Sequence, residues 1–209
     1  MPGDEALVSA GQEGNVYCWP TGKEGRIDVV SGNNRSSAVY GLVVDCPSLL
    51  YRKVKRKEDT KQVIEDIFSL VISTGDGALK CPPWNLEMLH SPSAVPADTP
   101  SPVILPDSRY VHITVLKLSY DRHFLFAGTS TGSLRIYSWP AIVTAEYPSG
   151  YYIEIPSHDG AIVSLHESLY SNTLITTGID GNIILYEFER AMFPKIPIPE
   201  AVAGTIYIL

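Results

Sequence analysis

The stretch "LITTGIDGNIILYEF", Leu174 to Phe188, sets two apolar runs around a Gly-x-Asp-Gly bend. The second run alternates, and period two is the signature of a β-strand, whose side chains point to opposite faces in turn. A glycine at the bend supplies the positive φ that a tight hairpin turn needs. The stretch reads as an antiparallel hairpin.

The pattern recurs in "LVSAGQEGNVYCW" from Leu7, "LVISTGDGALKCPPW" from Leu70 and "LFAGTSTGSLRIYSW" from Leu125. The aligned bend glycines are Gly14, Gly77, Gly132 and Gly181, separated by 63, 55 and 49 residues. Five positions after each glycine stand Trp19, Pro82, Tyr137 and Tyr186. WD-type repeats carry the Trp of their Trp-Asp pair at this place, and recur every ~40–45 residues with four strands per blade. The longer spacings imply insertions.

An apolar strand precedes each of the last three hairpins: "AVYGLVVDC" (Ala38–Cys46), "HITVLKLSY" (His112–Tyr120) and "AIVSLHES" (Ala161–Ser168). Outer strands fit "GRIDVVSG" near Ile27 and "GYYIEIPS" near Tyr152. The expected fold is all-β, a WD40-type β-propeller of about four blades over residues 1–190. A four-stranded blade cannot bury both faces alone, so blades stack on one another. The first begins at its hairpin, without an innermost strand. The ring is therefore expected to be incomplete or part of a larger propeller, with another chain as one source of the missing blades.

Two insertions fall on the rim, at 49–66 and 82–110. The first joins the basic run "YRKVKRK" to a helix-like stretch with Val63, Ile64 and Ile67 on one side. The second contains "SPSAVPADTPSPVILPD" (Ser91–Asp107), which proline keeps extended and which reads as a loop. Its Ser91, Thr99 and Ser101 each precede a proline and offer proline-directed phosphorylation sites. The apolar tail "FPKIPIPEAVAGTIYIL" (residues 191–209 with its two leading residues) is expected to be buried. It would complete the first blade or add to another protein's sheet edge.

The 209 residues are enough for one large domain or two small ones, with 44 % hydrophobic and 19 % charged residues, a globular composition. A net charge of −7 argues against a nucleic-acid module, which needs a basic face. No apolar run approaches the ~20 residues of a membrane span, and no signal-peptide pattern opens the chain. The three cysteines, Cys18, Cys46 and Cys81, are odd in number and form no C-x-x-C, which fits a reducing compartment. A soluble cytoplasmic or cytoskeletal protein is expected.

"YDRHFLFAGTSTGSLRIYSWP" and "EIPSHDGAIVSLHESLYSNTLITTGIDGNIILYEF" resemble the last blades of axonemal WD-repeat proteins of the cilia- and flagella-associated group. "LVSAGQEGNVYCWPTGKE" is similar to an earlier blade. The resemblance covers residues 5–20 and 110–190 and implies a scaffold of the cilium or flagellum. Its implied partners are axonemal proteins, dynein-regulatory or tether components and tubulin. That family also carries a long coiled coil; this chain reaches Leu209 without heptads.

In WD-type blades a His before the innermost strand, a hydroxyl in the second strand and an Asp in the turn form a buried network with the Trp. Here the set is His158, Thr176 and Asp180, with Tyr186 at the Trp place. A buried imidazole and carboxylate satisfy one another, so the expected role is structural. The other repeats lack the full set and are expected to rely more on apolar packing. "GTSTG" (Gly128–Gly132) matches the G-x-S-x-G nucleophile elbow, with Asp159 and His166 downstream. That elbow needs a helix after the turn, whereas "SLRIYSW" alternates as a strand, so a serine hydrolase using Ser130 is the disfavoured reading. The five histidines make no zinc spacing with cysteine, and no cofactor or metal is expected. Arg52, Lys53, Lys55, Arg56 and Lys57 form the basic cluster, either a solvated loop tip or a contact for acidic tubulin tails. A WD-type adaptor in another cytoplasmic complex, such as ubiquitin ligation or trafficking, is the alternative function.

Overall fold

A computed structural model describes residues 6–20, 27–30, 38–45, 69–75, 77–81, 103–104, 111–139, 152–168, 172–188 and 206–208. These form four antiparallel sheets in chain order. The first has three strands: β1 (Ala6–Ala10), β2 (Val16–Pro20) and β3 (Ile27–Val30). The second has β4 (Val39–Asp45), β5 (Ser69–Thr74), β6 (Leu79–Lys80) and β7 (Val103–Ile104). The third has β8 (Ile113–Leu118), β9 (Phe124–Thr129), β10 (Ser133–Ser138) and β11 (Tyr152–Pro156). The fourth has β12 (Ile162–Glu167), β13 (Thr173–Gly178), β14 (Ile183–Phe188) and β15 (Ile206–Ile208).

Each four-stranded sheet is a meander in which neighbours in sequence are neighbours in space. The quoted hairpins are β1–β2, β5–β6, β9–β10 and β13–β14. Their bend glycines all take positive φ, between 77° and 90°. A further repeat was hidden in the sequence. In the three four-stranded sheets the first pairing of the opening strand slips at the same place, between Val39 and Gly41, Ile113 and Val115, and Ile162 and Ser164. Each slip leaves one extra residue, Tyr40, Thr114 or Val163, and sharpens the local twist.

The sheets stack face on face. One core lies between the second and third, with Val71 and Leu79 against Leu116, Leu125 and Tyr137. Another lies between the third and fourth, with Phe126, Leu134 and Ile136 against Ile162, Leu174 and Tyr186. The third sheet is covered on both sides, so all six residues of β9 are buried. In β12 burial alternates with exposure, because the fourth sheet is covered on one side.

Two expectations are corrected. The tail strand β15 pairs with β14 through Tyr186–Ile208 and Glu187–Tyr207. It completes the last sheet and not the first, because β14 is the nearest strand with an open edge. The Pro-rich insertion also contributes β7, paired with β6 at Leu79–Ile104 and Lys80–Val103. Prolines flank Val103-Ile104 but leave both of its amides free to join the ladder. The helix-like stretch at Val63, Ile64 and Ile67 and the three Ser/Thr-Pro sites lie outside the described residues.

Gly132 is constrained twice. Its φ is +90°, and a Cβ there would run into the backbone carbonyl of His158. Gly181 has a φ of +79° with open space around it. Gly181→Ala therefore loses about 1 kcal/mol of stability from the left-handed backbone alone. Gly132→Ala also has to move backbone, and loses on the order of 3 kcal/mol. Denaturant midpoints measured side by side check this; equal losses would show that the Gly132 crowding is relieved freely.

Candidate functional site

The connection from β11 to β12 and the bend from β13 to β14 meet at one end of the last blade. His158 comes from the first and Asp180 from the second. The His158 N–H donates to the carbonyl of Gly132 at 2.9 Å, and Ser157 N donates to the same oxygen at 3.2 Å. This pins the imidazole against the third blade's bend. Its Nδ1 lies 3.0 Å from Asp180 Oδ1, and its Nε2 lies 2.8 Å from Thr176 Oγ1. Asp180 also accepts from the backbone N–H groups of Asp159 and Asn182, both at 3.1 Å, and from Asn182 Nδ2 at 3.0 Å.

Those contacts set the protonation. Burial pushes the Asp180 carboxyl upward, but the bonds from Asn182, Asp159 and His158 outweigh it and hold the group well below the usual carboxylate range. An ionised carboxylate only accepts, so Nδ1 carries the proton facing it. Tyr186 extends the chain. Its hydroxyl donates to Ser157 Oγ, and Thr176 also bonds to it. Burial raises the Tyr186 phenol above its ordinary value, partly offset by those two bonds.

The geometry thus brings His158, Thr176, Asp180 and Tyr186 together. The sequence reading missed Ser157, whose hydroxyl matters because the residue at the Trp place is a tyrosine with an O–H to satisfy. Its place directly before His158 was the available signal.

The set has the composition of an acid–His–hydroxyl triad, yet it is closed. The His158 side chain is 0 % exposed and Thr176 is 0 % exposed, so no substrate reaches the hydroxyl. Ser130, the candidate elbow serine, lies in the β9–β10 bend, and its Oγ accepts from the N–H of His112 at 3.2 Å. The chain continues directly as strand β10, which removes the helix that an elbow requires. Asp159 bonds to Asp180 through its backbone, and His166 sits exposed in β12 opposite Ile175. Among the described residues no three His, Cys, Asp or Glu side chains group as a metal site. Arg52, Lys53, Lys55, Arg56 and Lys57 lie outside the described residues.

A second polar cluster holds the opposite end of the third blade, and nothing in the sequence pointed to it. The buried Asp45, closing β4, accepts from Trp139 Nε1 at 2.8 Å and lies 3.1 Å from Arg122 Nη1. Glu167, closing β12 and equally buried, accepts from Tyr120 N at 2.7 Å. The β8–β9 turn is therefore gripped by an acid from each neighbouring blade. Arg122 takes φ +59°, a conformation that a side chain tolerates only where its surroundings fix it. Polar ties thus add to the apolar packing on which the repeats outside the last were expected to rely more.

No protein-family model matches the chain, and no curated protein matches it in sequence. Solved structures do. The chain is similar to the WD40 β-propeller domain of Doa1, with a TM-score of 0.56 at 12 % identity over 88 % of this chain and 48 % of that one. It is also similar to a chain of the mitotic checkpoint complex, with a TM-score of 0.53 at 15 % identity over 95 % of this chain and 49 % of that one. The chain spans about half the length of the solved chains it matches. Likeness at such identity speaks for the fold alone, and the fold is that of WD40-type propeller blades.

His158→Ala leaves Asp180 and Thr176 short of a partner and lowers stability by about 2 kcal/mol, read as a fall in melting temperature; an unchanged melting temperature would remove the network as a stabilising element. Because the folded Asp180 pKa is depressed, the stability it contributes is full above the unfolded carboxylate pKa of about 4 and fades as pH falls below it. The gap between the parent chain and Asp180→Asn should therefore be constant near neutrality and narrow in acid, in denaturant titrations repeated across pH. Asp45→Ala removes the acceptor of the Trp139 indole and one partner of Arg122 and costs about 2 kcal/mol, measurable by the same titration at neutral pH.

Proposed function

We propose that this chain is a non-catalytic protein-interaction scaffold of the ciliary or flagellar axoneme, working near dynein-regulating complexes on doublet microtubules. The observation that carries the non-catalytic part is the closure of the His158–Thr176–Asp180 set: each polar atom has an internal partner, and the imidazole is sealed from solvent. Such groups stiffen a blade and present its loops in fixed positions. The axonemal part is supported by the resemblance of residues 110–190 and 5–20 to axonemal WD-repeat blades, the member in view being cilia- and flagella-associated protein 57. The partners on this reading are tether or dynein-regulatory components, with the Arg52, Lys53, Lys55, Arg56 and Lys57 cluster offered to acidic tubulin tails.

The other reading is an adaptor in a different cytoplasmic assembly. One of the solved chains of like fold belongs to the mitotic checkpoint complex, so blades of this kind also serve outside cilia.

Demembranated axonemes from ciliated cells expressing the tagged chain separate the two. Retention with the doublets, weakened when the five basic residues are replaced by serine, is the expected outcome. Recovery entirely in the detergent-soluble fraction would overturn the axonemal reading and favour the adaptor.

A further inference from the structure

The last and first blades expose the two complementary halves of a blade-to-blade contact. Between the third and fourth blades, Phe126, Leu134 and Ile136 of one pack on Leu174 and Tyr186 of the next. Aligning Gly132 with Gly181 places Ile175, Ile183 and Leu185 at the positions of Phe126, Leu134 and Ile136, and the strand registers agree, since Ile136 faces Phe126 as Leu185 faces Ile175. Leu134 and Ile136 are 0 % and 8 % exposed, whereas Ile183 and Leu185 are 66 % and 40 % exposed. Val163 repeats the pattern. Its counterpart Thr114 bonds to the Ile162 carbonyl of the next blade, while Val163 is exposed.

At the other end, aligning Gly14 with Gly132 places Leu7 and Trp19 at the positions of Leu125 and Tyr137. Leu125 and Tyr137 are 0 % and 2 % exposed beneath the second blade, but Leu7 and Trp19 are 66 % and 40 % exposed. Leu7 and Trp19 face each other across the ladder, and Tyr17 stands against Trp19 with ring centroids 6.4 Å apart. This face is the receiving kind, rich in the aromatics that anchor protein contacts.

We infer that a second copy of this chain covers both faces. Ile175, Ile183 and Leu185 of each copy pack on Leu7, Tyr17 and Trp19 of the other, continuing the blade-on-blade interface already present inside the chain. Each contact is heterologous, and two of them related by a two-fold axis close the ring. The four sheets among the described residues, taken twice, make eight, within the range of 4–8 blades that propellers close with. The inference stands on the fold and not on the axonemal reading.

The test is the mass of the purified full chain by sedimentation across a range of concentrations. The expected result is a species of two chains. Ile183→Lys with Leu185→Lys blocks one half-contact, and Leu7→Lys with Trp19→Ser blocks the other. Each double variant should weaken pairing by roughly tenfold or more. Mixing the two variants should restore a two-chain species, since one intact contact remains. Ile183→Thr with Leu185→Thr serves as a milder form if the lysine variant loses its circular-dichroism spectrum. A parent chain that stays single at every concentration overturns the inference and leaves these faces to blades of another protein. Pairing that persists unchanged in both variants overturns it as well.

Discussion

An antiparallel sheet whose strands alternate apolar residues on both faces cannot stand in water on one side. Everything in this chain follows from covering those faces. The third blade shows the requirement met: β9 is buried along its whole length because a blade lies on either side. Transfer of a buried aliphatic or aromatic side chain from water contributes on the order of 2 kcal/mol, so each stacked pair of faces far outweighs any single polar tie.

The polar ties do something that apolar packing cannot. Hydrophobic contact fixes that two sheets meet, but it is non-directional. The directional groups sit at the ends of the strands, where stacking alone would let sheets slide or twist. At one end the Gly132 carbonyl receives two N–H groups from the connection into the fourth blade, and His158 links that connection to Asp180 and Thr176. At the other end Asp45 and Glu167 take hold of the third blade's turn from opposite sides. Desolvated acids are tolerated there because each has donors waiting for it. The result is a stack with directional ties at both rims of the third blade.

The same physics explains why a triad-like set of residues serves shape. An imidazole between a carboxylate and a hydroxyl is catalytic only where the hydroxyl meets a substrate. Here Thr176 is in the middle of a strand whose face lies against the third blade, and the imidazole is walled in by the preceding bend. The Gly128–Gly132 motif fails as an elbow for a related reason, since a strand and not a helix follows it.

Much was legible from residue order. Alternation and the glycine bends gave the four hairpins, because these are local patterns, and the resemblance to WD-type blades implied the network of His158, Thr176, Asp180 and Tyr186. Ser157 was half visible, beside His158 but without its own signature. Long-range partners were not legible. Asp45 and Trp139 lie 94 residues apart, and no periodicity relates them. The pairing of β7 and β15 was hidden as well, since two- and three-residue strands are too short to show a period, and edge strands join whichever open ladder lies nearest. Local chemistry, then, fixed the hairpins and the blade type; the meeting of distant side chains, and which faces were left bare, depended on how the sheets stacked, because contact between remote segments is a property of the folded arrangement and not of any segment within it.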